Sequence, residues 1–118
     1  MTKKVGEMLA WAEKTFGAIA RDPHERALRF IEESLELAQA VGLTREEAAA
    51  MIERVYSRPP GDVFKEAGQA KLTAETLYSV LGIKPWVAYD AECERVLAIP
   101  QEEWDRRHAA KKEKGLAL

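Results

Sequence analysis

Glu32-Glu33-Ser34-Leu35-Glu36 sits inside a long helical run from Pro23 to Val41, and its reading decides the fold. At about 100° per residue, Leu28, Phe30, Ile31, Leu35, Leu37, Ala38 and Val41 share roughly half the helix circumference. Arg29, Glu32, Glu33 and Glu36 fall on the other half. Glu33 and Glu36 are spaced i,i+3, and Glu32 and Glu36 i,i+4, so their side chains are neighbours on the helix surface. Like charges at these spacings cost a few tenths of a kcal/mol per pair. Solvent, Arg29 or a cation must offset that cost, and hard divalent ions take carboxylate oxygens. Charge spacing alone reads as a solvated helix face; the rest of the chain decides whether it is more.

Working outward, every other segment also reads as helix. Val5 to Thr15 carries Met8, Leu9, Ala12 and Phe16 near helical spacing, with Gly17 as its stop. Trp11 and Phe16 lie close to that end and suit core packing or a platform on which a nucleobase stacks. Asp22-Pro23-His24-Glu25 is a helix start and Gly42 a helix end. Thr44-Arg45-Glu46-Glu47 is a capping box that opens a helix to about Tyr56, and Arg58-Pro59-Pro60-Gly61 breaks the chain. From Asp62 to Leu81, Val63, Ala67, Ala70, Ala74, Leu77, Tyr78 and Leu81 form an apolar face. Beside it runs a polar strip of Asp62, Glu66, Gln69 and Thr73. Pro85 to Leu97 places Trp86, Tyr89, Cys93 and Val96 at helical spacing. A last, mostly polar helix opens at Ile99-Pro100-Gln101 and dissolves into a basic tail. No β-branched alternating run interrupts this pattern. The expectation is an all-α bundle of about five helices in a single domain, residues 1–118, with a polar tail from about 101.

Composition narrows the function classes. A net charge of −2 with both signs mixed gives no bulk attraction to a nucleic acid polymer. The one basic cluster, Arg106, Arg107, Lys111 and Lys112, reads as a solvated tail. A single cysteine, Cys93, suits a reducing compartment. No apolar run approaches the roughly 20 residues of a membrane span. Met1-Thr2-Lys3-Lys4 is basic, but no apolar signal core follows it. These features predict a cytoplasmic protein with no membrane partner. His24, His108 and Cys93 do not make an ordinary zinc site, and no phosphate-binding glycine loop or Ser/His/Asp set is legible. What remains is carboxylates on helices, the donors from which helical bundles build metal sites. Glu33 and Glu36 would come from one helix and Glu66 from another, with Glu32 beside them.

Glu32-Glu33-Ser34-Leu35-Glu36, followed about thirty residues later by Glu66-Ala67-Gly68-Gln69, resembles the MazG-like all-α nucleoside triphosphate pyrophosphohydrolases. Their pattern is E-E-x-x-E and then E-x-x-D on a later helix. Arg29-Phe30-Ile31-Glu32-Glu33 and Tyr56-Ser57-Arg58-Pro59-Pro60-Gly61-Asp62 are similar to one branch of that family, which includes bacterial and phage proteins. The resemblance covers roughly Trp11 to Leu81.

It implies hydrolysis of an NTP or dNTP, dGTP or dATP among the candidates, to the monophosphate and pyrophosphate with Mg2+ or Mn2+. Glu33, Glu36 and Glu66 match the metal ligands, and Glu32 matches the leading acid, which holds a ligand or orients water. Gln69 stands where the family pattern has Asp, so the remaining ligand position falls to Gln69 or to Asp62, whose rival role is that of N-cap to its own helix. Arg29, Arg58 and Lys65 are the candidate phosphate cations, with Trp11 and Phe16 for the base. A homodimer or dimer of dimers, with helices of two chains completing each bundle, is also implied. Two other readings stand beside it. One is a phosphoribosyl-ATP pyrophosphohydrolase. The other is a helical nucleotide-binding or interaction dimer whose catalytic site is degraded at Gln69.

Overall fold

The computed structural model describes residues 3–118; Met1 and Thr2, the start of the basic stretch, lie outside the described residues. Among the described residues the chain is all-α, with six helices and no strand. They are α1 (Val5–Phe16), α2 (Pro23–Val41), α3 (Arg45–Tyr56), α4 (Val63–Leu81), α5 (Pro85–Leu97) and α6 (Gln101–Glu113). A 3-10 turn, Ala18–Arg21, joins α1 to α2. The sixth, residues 101–113, is the polar helix expected from Ile99-Pro100-Gln101, and it runs on well into the basic stretch that the sequence suggests as a tail. No helix among them is long and apolar enough to cross a membrane.

Local chemistry sets the helix ends. Asp22 accepts hydrogen bonds from the backbone N–H groups of His24 (2.8 Å) and Glu25 (3.2 Å), satisfying two donors that the first turn of α2 leaves open. At the other end of α2, Gly42 takes φ +111°, a region that a Cβ disfavours. Thr44 and Glu47 form the reciprocal capping box: Glu47 N donates to Thr44 Oγ1 (3.1 Å) and Thr44 N to Glu47 Oε1 (2.9 Å). Asp62 is the N-cap of α4, accepting from Lys65 N at 2.9 Å.

The chain divides into two compact units. The first holds the described residues up to Glu33 together with Trp86–Leu118. In it α1 packs against the 3-10 turn and against α6. Trp11, Phe16 and Trp104 meet edge-to-face, with ring centroids 5.5 to 6.1 Å apart, the arrangement their quadrupoles favour. Gln101 Nε2 donates to the Thr15 carbonyl (2.7 Å) and ties the start of α6 to the end of α1. Ala12, Ala20, Cys93 and Ala117 are the buried apolar residues. On α5, Tyr89, Cys93 and Val96 turn inward as their spacing predicts, but Trp86 at the head of that row is mostly exposed.

The second unit, Ser34–Pro85, is built differently. Its helices keep large apolar side chains in the open: Met51, Ile52 and Val55 on α3, and Val63, Phe64, Leu72 and Val80 on α4. Phe64 is 89% exposed and Val80 85%. Of the predicted α4 face only Ala70, Ala74, Leu77 and Tyr78 are half-buried.

Candidate metal centre and its cavity

Helix α2 covers part of its polar face and leaves part of its apolar arc bare, with Leu28, Leu37 and Ala38 of that arc half-buried. The apolar arc predicted to pack is exposed at Phe30, Ile31, Leu35 and Val41. The polar face is covered only toward its N-terminal end, while Glu33 and Glu36 stay exposed. Glu25, at 2% exposure, is the most buried large side chain of the described residues, and Arg29 and Glu32 are half-buried. These three stand at i, i+4 and i+7, so they stack along a single face. Arg29 lies 3.8 Å from Glu25 and 3.4 Å from Glu32, and Lys111 of α6 reaches Glu32 at 3.0 Å. Alternating sign is what makes burial of this face tolerable, because buried charges need partners.

Glu32, Glu33 and Glu36 each offer a carboxylate oxygen, and those three atoms lie within 4.8 Å of one another. One continuous helix carries all three, so the spacing follows from helix geometry. The donors are hard oxygens of the kind that Mg2+, Mn2+ and Ca2+ take, and they include no soft ligand. Residues Glu66, Gln69 and Asp62 of the second acid motif are not part of this group. Glu66 and Gln69 are exposed on α4. The Asp62 carboxylate is engaged as a cap. Arg58 and Lys65 are exposed as well.

A cavity of about 210 Å³ opens within the first unit. Its walls combine the aromatic rings of Trp11, Phe16, Trp104 and His108 with the cations Arg26, Arg29, Arg107 and Lys111 and the acids Glu25, Glu32 and Glu33. Four cations against three acids leave a slight positive excess. His108 lies 5.6 Å from Phe16, and the Arg107 guanidinium sits over the Trp104 ring at 5.4 Å. Arg26 Nε, Arg29 Nε and Trp104 Nε1 are buried donors with no hydrogen-bond acceptor among the protein atoms. Such groups cost about 1–3 kcal/mol each when left unmade, so the wall is set to receive acceptor oxygens.

Of the residues singled out from sequence, Trp11, Phe16, Arg29, Glu32 and Glu33 line this one cavity. Sequence reasoning missed Glu25, Arg26, Trp104, Arg107, His108 and Lys111. The α6 set was legible in principle: Trp104, His108 and Lys111 recur at i, i+4 and i+7, one face of a helix. The polarity of α6 as a whole hides this face, and of the three only Lys111 belongs to the basic cluster that reads as a solvated tail. No family model, curated protein or solved structure matches the chain.

Proposed function

We propose that the protein is a metal-dependent nucleoside triphosphate pyrophosphohydrolase, converting a (d)NTP such as dGTP or dATP to the monophosphate and pyrophosphate. The observation that carries this reading is a triplet of clustered carboxylates, two of which also line a cavity with aromatic and cationic walls. A nucleotide needs both halves of that wall. Trp11, Phe16 and Trp104 offer ring faces and edges to a base. Arg26, Arg29, Arg107 and Lys111 offer charge-assisted bonds to phosphate oxygens.

Glu33 and Glu36, with Glu66, would hold Mg2+ or Mn2+, and Gln69 or Asp62 would fill a further position. Such an ion neutralises phosphate oxygens and fixes their geometry. Glu32, which accepts hydrogen bonds from Arg29 and Lys111, would take a proton from the attacking water. If that water adds to the α phosphorus, the bond from it to the α–β bridging oxygen breaks and pyrophosphate leaves; if it adds to the β phosphorus, the bond from that same oxygen to the β phosphorus breaks and the monophosphate leaves, the water oxygen staying in pyrophosphate. Incubation of the purified protein with each dNTP and Mg2+, with the products resolved, tests the reading. Monophosphate plus pyrophosphate is expected. Release of orthophosphate alone refutes it, and nucleotide binding without turnover points to a binding dimer instead.

The working form is proposed to be a homodimer or a pair of dimers. The chain exposes 9460 Å². Two separate folded units of roughly half its mass each would expose about 7,800 Å² together by the scaling of folded monomers. The excess is close to one partner's share of an obligate interface, about 1,000–2,500 Å². A second copy laid on α3, α4 and the exposed arc of α2 covers that excess, and Glu66 joins the other acids in the completed bundle.

A further inference from the structure

We propose that residues 115–118 form a strap seated on the cationic wall of the first unit's cavity, which a polyphosphate must displace. The strap begins where α6 ends. Gly115 turns the chain at φ +72°, with Gly115 N donating to Lys112 O (3.0 Å) and Leu116 N to Lys111 O (2.8 Å). The backbone then runs back against α2. Leu116 presents its carbonyl to an Nη of Arg29, and Leu118 N donates to Glu25 Oε1 at 3.2 Å. Ala117, between them, is buried. Thus the guanidinium that the preceding reading assigns to phosphate is already held by a main-chain oxygen, in a cavity that residues of α2 and α6 line.

The contact is suited to being exchanged. A carbonyl is a single neutral acceptor, whereas guanidinium forms its strongest bonds in pairs to anionic oxygens. Arg29 Nε remains without a hydrogen-bond acceptor while the strap is in place. Beyond Ala117 the strap buries little: Leu116 is 50% exposed and Leu118 39%. A segment with two main-chain bonds and one small buried side chain belongs to the part of a structure that opens first. While seated, it lowers the apparent affinity for a polyanion by the fraction of molecules in which it is open. The inference rests on the proposed substrate class only in naming polyphosphate as the displacing group.

Two full-length variants unseat the strap without adding charge. Ala117→Gln puts a larger polar group at a buried position. Gly115→Val strains the turn through its positive φ alone, since a Cβ there meets nothing within 4 Å. The probe is inorganic pyrophosphate, titrated calorimetrically into the wild type and each variant, with hydrogen exchange read at the amides of 116–118. Both variants should bind pyrophosphate about tenfold tighter, as for a strap seated about nine-tenths of the time. Arg29→Gln added to either should erase the gain. Exchange of the Leu118 amide at its intrinsic, unprotected rate in the wild type, or unchanged or weaker binding in the variants, overturns the strap. dNTP turnover measured in parallel separates this from the function: tighter pyrophosphate binding with no turnover in any form keeps the strap and sinks the hydrolase. Turnover with no gain in binding does the reverse.

Discussion

Trp11, Phe16 and Trp104 close on one another in the first unit, whereas Phe64, Val63 and Val80 in the second stand almost wholly exposed. The first unit also buries charge, at Glu25 and Arg29, while the second leaves apolar surface bare. An all-α chain with its apolar residues outside and a carboxylate inside inverts the usual partition. The inversion has a consistent physical meaning. Buried charge is retained where it is paired and faces a cavity. A large exposed apolar face is retained where another surface covers it. The first unit holds the cavity, and the bare apolar surface of the second is the proposed seat of assembly.

The largest expected effect tests the chemical half of that contrast. Glu36→Gln should lower dNTP turnover by at least about 100-fold, the scale of one lost positioned acid. Its thermal melting should be unchanged or raised, because one charge leaves a like-charged cluster. Wild-type turnover in the folded variant removes the metal site from the account. On the assembly side, Ile52→Asp places a charge on the exposed face of α3 and should weaken self-association by at least about 100-fold, near 2.7 kcal/mol. Sedimentation across a concentration series reads this directly. A wild-type chain that sediments as a stable folded monomer at low micromolar concentration breaks the comparison at its second unit.

Smaller effects sharpen the boundary. Trp104→Ala should destabilise the fold by about 2–3 kcal/mol, somewhat below a fully buried Trp, because the ring is half-buried. Val80→Ala should stay within about 0.5 kcal/mol unless a second copy covers it, and then its cost should grow with protein concentration. Thermal melts of both variants at two concentrations settle which surfaces are covered. The smallest effect concerns pH. Hydrogen bonds from Arg106, and then Arg107, hold the Glu103 carboxyl down at about 2, against an ordinary 4.5. The folded value is depressed, so its support for α6 is complete above about pH 4.5 and is lost as pH falls towards 2. Melting of the wild type should therefore fall more steeply through that window than melting of Glu103→Gln.

By itself the sequence determined the helices and their ends. Capping side chains, Pro at first positions and Gly beyond last ones act within a turn of where they stand, so Asp22, Thr44 and Asp62 were readable without any long-range contact. It also determined the acid triplet, because i,i+3 and i,i+4 spacing on one helix fixes three carboxylates together. Which face of α2 turns inward was decided only by the tertiary structure. A helical wheel separates two faces but does not say what each will meet, and here α6 supplies Lys111 to the polar face while Phe30, Ile31, Leu35 and Val41 of the apolar arc stay exposed. Likewise, Trp104 and His108 became cavity walls only when α6 packed against α1, a contact between residues more than ninety positions apart that no local pattern encodes.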